Sequence, residues 1–421
     1  MVKPRNPIMV DEAINKVMRH KWEAETELVS LENCDLRRLA APFIATHNIP
    51  FFHKSPYDGF AIRAEDTKYS TDEDPVVFEV IDYIGAGQLP RNELGEGQAT
   101  RIMTGAKIPQ GANCVVMLED CYTYQKDGIH YMELAKKMEE NQNIIKEGSE
   151  LAKGTLLVDR GAIINPGIKA LLATFGYHQV EVIKKPLIGV IATGTELLEP
   201  DEDLESGKIY NSNAYMILSQ IKRAGGDPSY YGKLDDDVTS SYSRIKRVLQ
   251  EVDILITTGG VSVGDFDLMP ELYNMLGATT LFNKVAMRPG SVTTVAVRGK
   301  KLLFGLSGNP SACYVGFELF VRPMIRGIMH QKNVCMKRVK AKLDDDFPKM
   351  NPYTRYVRGQ LSYQGRELYV QLAGIDHSNV VSSLAYTTCL IEIPGGKEKY
   401  EKGDELEVLL LEDMEGQANF R

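Results

Sequence analysis

The strongest constraint on the fold is a regular alternation of strand-like and helix-like segments between residues 181 and 330. PLIGVIAT (186–193) and DILITT (253–258) are short apolar runs with many β-branched residues, the composition of strands buried on both faces. Between them, NSNAYMILSQIKRAGG (211–226) reads as a helix with an Asn/Ser start and a Gly-Gly stop. Such alternation predicts a mostly parallel, doubly wound sheet with helices on both faces. We therefore predict an α/β substrate-binding domain at 181–330.

The flanking segments have a different pattern, and they predict a fold class of α/β plus β. Short β-rich runs between glycine turns indicate an inserted β-rich domain at 44–140. A helical/β linker domain, discontinuous at 1–43 and 141–180, surrounds this insertion, with a short helix near residues 9–20 and a helical turn at 35–40. Renewed alternation after residue 334 predicts a C-terminal β-barrel at 334–421.

Composition excludes several classes of protein. The net charge of −8 gives no broad basic face for nucleic acid, and no run approaches the roughly 18 apolar residues of a membrane span. The N-terminus has no signal-peptide pattern, and the six cysteines show no CxxC spacing, which predicts reduced thiols in the cytoplasm. Without CxxC or HExxH motifs, any metal is expected to be a hard cation held by oxygen ligands.

Three strand ends of the α/β domain carry polar, glycine-rich turns: TGTE (193–196), GGVSVG (259–264) and GNPS (308–311). Ligands of open α/β sheets bind beyond the carboxyl ends of the strands, where glycine admits backbone N–H groups to an anion and a helix start adds a favourable dipole. Together the turns predict a cleft for a phosphate or another oxyanion. Singly, each is also an ordinary turn or helix start.

Acidic side chains accompany these turns at Glu196, Asp236, Asp265 and Asp267. Bare carboxylates would repel an anion, so they are expected to hold a cation such as Mg²⁺ beside the phosphate, or to bind ribose or heterocycle donors. A solvated turn is the alternative interpretation for the run Asp235-Asp236-Asp237.

In combination, these motifs resemble those of the molybdenum insertase family, which is related to the C-terminal part of gephyrin. The resemblance follows the chain in order through SPYDGFA (55–61), RIMTGA (101–106), TGTEL (193–197), IYNSN (209–213), KLDDD (233–237), TTGGVSVGDFD (257–267), KVAMRPGS (284–291), GLSGNPS (305–311) and HSNVVSSLA (377–385). It implies an elongated multidomain subunit. It also implies a reaction in which adenylylated molybdopterin and molybdate give molybdenum cofactor and AMP, assisted by Mg²⁺.

The resemblance also implies roles for individual residues. Catalytic roles fall on Asp58, Thr104, Glu196, Asp236 and Asp267, with Asp236 and Asp267 as the metal ligands. The substrate-binding positions are Thr193, Gly194, Ser212, Gly259, Gly260, Ser262, Gly264, Lys284, Arg288, Pro289, Gly290, Ser307, Gly308, Asn309 and Pro310. The family further implies a homodimer whose site combines the β-rich domain of one subunit with the α/β domain of the other. Transient contacts with a molybdopterin adenylyltransferase and with cofactor-accepting proteins are expected.

Two of these residues also have a purely structural interpretation, and three positions differ from the family pattern. Asp58 precedes Gly59 and Thr104 ends a strand, so each has a structural interpretation as a turn residue. The family often has Lys where Ser291 stands, Pro at Ser307 and Ser at Ala312. These three positions cluster where molybdate is expected to bind, so they bear on the choice and affinity of the oxyanion.

Three other functions share parts of this pattern. A molybdopterin adenylyltransferase has the same α/β domain but is a single small domain that uses ATP. A gephyrin-like scaffold would not need the acidic residues that are present here. A nucleotide pyrophosphatase is the third, since one fold hosts many activities.

Overall fold

A computed structural model describes residues 6–234, 237–260, 268–348, 351–396, 399–412, 417 and 419–420. The α-helices of these ranges are α1 (Val10–Met18), α2 (Pro166–Thr174), α3 (Ser212–Ala224), α4 (Val238–Glu251), α5 (Leu268–Met275), α6 (Pro310–Gly316) and α7 (Arg322–Ile328). A π-helical segment, Phe317–Val321, joins α6 to α7. Within the described ranges, no helix combines the length and apolarity needed to cross a membrane.

The strands of the described residues fall into separate sheets along the chain. They are β1 (Thr26–Ser30), β2 (Phe43–Ile44), β3 (Gly59–Ile62), β4 (Val76–Ile84), β5 (Gln98–Ile102), β6 (Cys114–Met117), β7 (Tyr122–Lys126), β8 (Ile129–Leu134), β9 (Leu156–Val158), β10 (Gln179–Ile183), β11 (Leu187–Thr193), β12 (Leu197–Leu198), β13 (Ile209–Tyr210), β14 (Asp227–Leu234), β15 (Ile254–Thr258), β16 (Thr279–Phe282), β17 (Met287–Arg288), β18 (Thr294–Arg298), β19 (Lys301–Leu306), β20 (Arg338–Leu343), β21 (Thr354–Gln364), β22 (Glu367–Leu372), β23 (Cys389–Ile393) and β24 (Glu405–Leu410).

The central sheet of the α/β domain has the strand order β14-β11-β15-β19-β18-β16. Its first four strands run parallel, and β18 and β16 add antiparallel pairs at one edge. The prediction of a mostly parallel sheet is therefore confirmed. The carboxyl ends of β11, β15 and β19 meet at one edge, which brings the three predicted turns together.

Both faces of this sheet are covered, because successive side chains of a strand point to opposite sides. Ile254 and Ile256 belong to the core cluster that contains Ile217 of α3. Leu255, between them, belongs to the opposite cluster with Ile245 of α4. Full burial of each such side chain contributes about 1.5–3 kcal/mol. The doubly wound arrangement follows directly from this two-sided apolar pattern.

The β-rich domain forms its own sheet with the order β6-β3-β5-β4-β8-β7. Its chain leaves the linker domain next to β2 and returns next to β9, and these two strands pair antiparallel through Phe43 and Val158. The domain is therefore inserted, as the predicted fold class requires. The domain boundaries predicted from sequence stay predictions.

The linker domain departs from the sequence expectation at one place. The helical turn predicted over 35–40 is not formed, since residues 35 and 36 lie in a turn and a 3-10 helix spans Leu31–Asn33 instead. Arg38 and Leu39 form isolated β-bridges with Ile163 and Val182. The Arg38 guanidinium also donates to the carbonyl of Gly161 over 2.7 Å. Long-range pairing with the returning chain thus replaces local helix formation.

The C-terminal strands close into a five-stranded barrel in the order β21-β22-β20-β24-β23, because β21 also pairs with β23. The predicted barrel is confirmed. β17, from within the α/β segment, extends the same sheet by pairing Met287 with Thr354 and Arg288 with Arg355. This pairing fixes the barrel beside the loop that carries Arg288.

Candidate functional site

A cavity of about 1340 Å³ lies at the carboxyl edge of the α/β sheet, and we call it the cleft. It opens where β11, β15 and β19 end, as expected for an open α/β sheet. Predicted residues that line it are Thr193, Gly194, Glu196, Ser212, Gly259, Gly260, Lys284, Arg288, Pro289, Gly290, Ser307, Gly308, Asn309 and Pro310. The positions of departure from the family pattern, Ser291, Ser307 and Ala312, also line it.

Glycine is required on the cleft floor for steric reasons. Gly259 has a φ of +92°, and a Cβ there would lie 2.6 Å from the carbonyl oxygen of Thr193. Gly194 has a φ of +138°, and a Cβ there would lie 2.5 Å from the carboxylate of Glu196. The contact at Gly259 meets backbone and would force a rearrangement, whereas the Glu196 carboxylate near Gly194 is the end of a flexible side chain, so there it is the left-handed φ that favours glycine.

Helices α3 and α6 both begin at the cleft, and a hydrogen bond connects the start of α3 to the turn before α6. The Asn211 side chain caps α3 by accepting from the backbone N–H of Ala214 over 3.2 Å. Two residues further on, the Asn213 amide donates to the carbonyl oxygen of Gly308 over 2.7 Å. α6 starts at Pro310, a position that suits proline because its missing N–H needs no partner there. The start of α3 and the turn before α6 therefore hold a fixed relative position.

The charges of the described lining residues favour an anion. Lys284, Arg288 and Arg355 face two carboxylates, Glu196 and Asp376. Asp376 is already paired with Arg355. Among the described residues, no carboxylate lies within ion-pair distance of Lys284 or Arg288, so both cations remain available to a ligand. A locally positive cleft on a protein of net charge −8 attracts an oxyanion or a phosphate.

The barrel contributes a part of the cleft that sequence reasoning missed. Arg355, His377 and Ser378 line it together with the α/β turns. The Ser311 backbone N–H donates to the Ser378 carbonyl over 3.0 Å, and its hydroxyl donates to the Val380 carbonyl over 2.7 Å. The family-like segment at 377–385 was the available signal, but it designated no site residue.

Asp58 and Thr104 lie together on the inserted domain and are exposed. The Asp58 carboxylate accepts from the Thr104 backbone N–H over 2.7 Å and from its hydroxyl over 2.9 Å. These two hydrogen bonds, backbone first, and the charge of Arg101 lower the pKa of Asp58. Neither residue is among those that line the cleft of the same chain. The local pair is formed, but one chain does not join it to the cleft.

Four predicted site residues lie outside the described residues: Asp236, Ser262, Gly264 and Asp267. Asp265 lies outside them as well. Over the ranges that the structure does describe, no cluster of three or more His, Cys, Asp or Glu could hold a metal ion. Glu196 is the cleft carboxylate that has no ion-pair partner among the described residues.

The fold and the cleft define the class as a multidomain α/β protein with a positively charged cleft at its parallel strand ends. Three family profiles match in succession: the MoeA N-terminal region (domain I and II) over residues 8–176, a probable molybdopterin binding domain over 189–327, and the MoeA C-terminal region (domain IV) over 340–411. The chain belongs to the MoeA family of molybdopterin molybdenumtransferases.

Individual relatives agree with this assignment over nearly the full length. The chain is 50% identical over 416 residues to a molybdopterin molybdenumtransferase of Bacillus subtilis, covering 99% of this chain and 97% of the relative. It is 43% identical over 418 residues to the protein of the same name from Staphylococcus aureus strain MRSA252, covering 98% and 97%. A crystal structure of a MoeA protein from Pyrococcus horikosii superposes with a TM-score of 0.87 at 28% identity, covering 96% of this chain and 99% of that one.

Proposed function

We propose that this protein inserts molybdenum into molybdopterin: it takes adenylylated molybdopterin and molybdate and releases AMP and molybdenum cofactor. The observation that carries the proposal is the cleft, whose lining unites the predicted strand-end turns with Lys284 and Arg288, two cations without a carboxylate partner in the described part of the chain. Full-length relatives named molybdopterin molybdenumtransferase support the same function. An adenylyltransferase function is not favoured, because such a protein would need only the α/β domain.

The cleft residues divide naturally between the parts of this reaction. The Gly259 backbone N–H already donates to the Leu306 carbonyl over 2.9 Å, so the Gly194 turn is where the glycine backbone can approach the phosphates. Lys284 and Arg288 supply positive charge to phosphate and molybdate, with Arg288 able to bind an oxyanion through two parallel hydrogen bonds. Glu196 would orient the substrate or the attacking oxygen.

The direct test supplies purified protein with adenylylated molybdopterin and molybdate and follows AMP release. We expect release that depends on molybdate. A parallel reaction with molybdopterin and ATP, without molybdate, should give no adenylylated product. Adenylylated product in that second reaction, with no molybdate-dependent AMP in the first, would support the adenylyltransferase instead.

We further propose that two subunits share each site, with Asp58 and Thr104 of one completing the cleft of the other. The support is that this hydrogen-bonded pair is exposed and does not line the cleft of its own chain. The test mixes the inactive variants Asp58→Ala and Glu196→Ala. With random exchange, half the dimers carry one intact site of two, so about a quarter of wild-type activity should return. No recovery despite proven subunit exchange contradicts a shared site.

Magnesium is proposed to assist at the phosphates, with Asp236 and Asp267 as its protein ligands. The support is their position in the sequence: Asp236 follows Leu234 by two residues, Asp267 directly precedes α5, and Leu234 and Gly260 line the cleft. Bound there, the cation would neutralise phosphate charge. Calorimetric titration with Mg²⁺ should show binding that is weakened in Asp267→Asn. Equal binding by that variant rejects this assignment.

Cellular context is proposed on chemical grounds. All six cysteines are free thiols, which suits a reducing compartment such as the cytoplasm. Transient contacts with a molybdopterin adenylyltransferase and with cofactor-accepting proteins would pass the labile pterin from one protein to the next. Cross-linking of the purified proteins, with and without adenylylated molybdopterin, tests these contacts.

A further inference from the structure

A second cavity, of about 840 Å³, lies on the sheet of the inserted domain, and we call it the aromatic groove. Its lining includes Phe60, Tyr83, Tyr124 and Tyr131. Tyr124 and Tyr131 stack with ring centroids 5.5 Å apart. Walls made of several rings suit a flat ligand, because offset and edge contacts between rings add to the gain from area burial.

Strand register builds this wall, so it is a fixed feature of the sheet. Phe60 of β3 stands opposite Arg101 of β5, and Tyr83 of β4 stands opposite the same arginine. The three side chains therefore form a row across neighbouring strands. The Arg101 guanidinium lies over the Phe60 ring, 5.1 Å from its centroid, and donates to the Gly59 carbonyl over 2.9 Å.

The charge of the groove favours an anion. Arg91 and Arg101 line it, and neither guanidinium forms an ion pair with a carboxylate of the described chain. The carboxylate in the lining, Asp82, is engaged by backbone N–H groups, accepting from Tyr83 over 2.8 Å and from Arg91 over 3.0 Å. With two guanidinium groups and one carboxylate in its lining, the groove has a net positive charge on an acidic protein.

The groove is distinct from the cleft, since none of its lining residues lines the cleft. It begins beside the Asp58–Thr104 pair. Leu118, in its lining, donates its backbone N–H to the Asp58 carbonyl over 3.0 Å, and the Tyr83 hydroxyl reaches the sulfur of Met103, next to Thr104, at 3.6 Å.

We propose that the aromatic groove is a second ligand site, which binds a flat heteroaromatic ring system carrying a negative charge. The rings supply stacking surface, and Arg91 and Arg101 supply the counter-charge. The proposed function enters only through the choice of ring, since pterin and purine are the heterocycles that the proposed reaction handles.

The test uses pterin-6-carboxylate, a fluorescent flat anion, titrated into the full-length protein, with AMP as the purine competitor. The charge reversal Arg91→Glu should weaken pterin binding about tenfold or more, because it removes one charge-assisted contact. Tyr124→Leu, which keeps apolar volume but removes a ring, should weaken it severalfold. Displacement by AMP assigns the groove to flat anions of both kinds, and a lack of displacement assigns it to pterins.

Two matched controls are available in the same domain. Lys68 and Tyr69 form an exposed cation–aromatic pair, 5.0 Å apart, outside the groove. Lys68→Glu and Tyr69→Leu should leave pterin binding unchanged. Binding that survives both groove variants overturns the proposal. Molybdate-dependent AMP release by the wild-type protein is measured separately, so a failure here is not confused with a failure of the proposed function.

Discussion

The side-chain amide of Asn213 donates to the carbonyl oxygen of Gly308 over 2.7 Å and so joins the start of α3 to the turn before α6. These two residues are 95 positions apart in the chain, and both line the cleft. The Asn213 Oδ1 atom is buried and has no hydrogen-bond partner among the described residues. It therefore has a free acceptor for a donor on a bound ligand.

The first prediction concerns this bond. Asn213→Ala removes it and should raise KM for adenylylated molybdopterin about tenfold, because the turn loses its support and the ligand loses an acceptor. Asn213→Asp should raise this KM further, since it places a carboxylate against the Gly308 carbonyl. Steady-state kinetics of AMP release measures both. Asn274→Ala, the same change on the exposed side of α5, is the control. An unaltered KM in Asn213→Ala would disprove that Asn213 supports ligand binding.

The second prediction concerns the charge of the cleft. Arg288→Ala should raise KM for molybdate about tenfold, because it removes from the lining a cation that no described carboxylate neutralises. Arg298→Ala changes an arginine of the same domain outside the cleft and should have no effect. A similar loss in both variants would mean that overall charge, not the cleft, determines affinity.

The third prediction concerns Ser291, where the family pattern often has lysine. Ser291 lines the cleft, so Ser291→Lys should lower KM for molybdate severalfold at low salt. The gain should shrink as ionic strength rises toward 0.5 M, because salt screens exposed charges. Titration of KM against salt is the measurement. A gain independent of salt would point to packing rather than charge.

The fourth prediction concerns the exposed pair on the inserted domain. Thr104 lowers the pKa of Asp58 through two hydrogen bonds. Thr104→Val keeps the backbone donor but removes the hydroxyl, so the pKa of Asp58 should rise part of the way toward the ordinary value of 3.8. Carbon-detected NMR titration of the carboxylate follows this shift. Thr123→Val, on the same sheet, should leave it unchanged, and an unmoved Asp58 in Thr104→Val contradicts the prediction.

The fifth prediction concerns a buried ion network behind the cleft. Glu318, fully buried in the π-helical segment, pairs with Arg322 at 2.7 Å and with Arg223 of α3. Removing its charge breaks the ion pair of the buried Arg322 and one of the ion pairs of Arg223, so Glu318→Ala should lower the free energy of unfolding by about 3–5 kcal/mol. Glu412 pairs with the same Arg223, but its side chain is 72% exposed. Glu412→Ala should therefore lower the free energy of unfolding by less than about 1 kcal/mol. Denaturant unfolding compares the two, and equal losses contradict the argument.

Lowering the pH should weaken this ion network, because protonation removes the charge of Glu318. Burial raises the pKa of Glu318, but the charges of Arg322 and Arg223 and its hydrogen bonds outweigh burial, so the pKa lies below the ordinary 4.5. A lowered folded-state pKa gives stability that is fully present above 4.5 and is lost as pH falls further. The wild-type protein should therefore lose more stability below pH 4.5 than Glu318→Ala does.

Local sequence pattern was enough for the α/β sheet and for the three strand-end turns, whereas the other predicted cleft residues came from the family resemblance. Buried strands such as Ile254–Thr258 have an unambiguous two-sided apolar pattern, and strand ends of a parallel sheet meet by topology alone. The barrel contribution could not be found this way. Ser311 contacts Ser378 and Val380 across nearly seventy residues, and no periodicity encodes such a contact. The turn at 35–36 was missed for the same reason, since its neighbours pair with the distant returning chain.

The antiparallel pairing of β2 with β9 has a consequence for evolution. The outgoing and returning chains run side by side, and Ile49 with Leu151 and Lys54 with Ile145 continue the contact beyond those strands. These paired outgoing and returning segments, which we call the stalk, join everything between Lys54 and Ile145 to the linker domain. A single in-frame genetic exchange at its tip could replace the whole module without rerouting the polypeptide. Because Asp58 and Thr104 lie inside the module, a replacement that keeps the proposed shared site must carry an equivalent acid and hydroxyl, so inheritance of the reaction limits which modules can be exchanged.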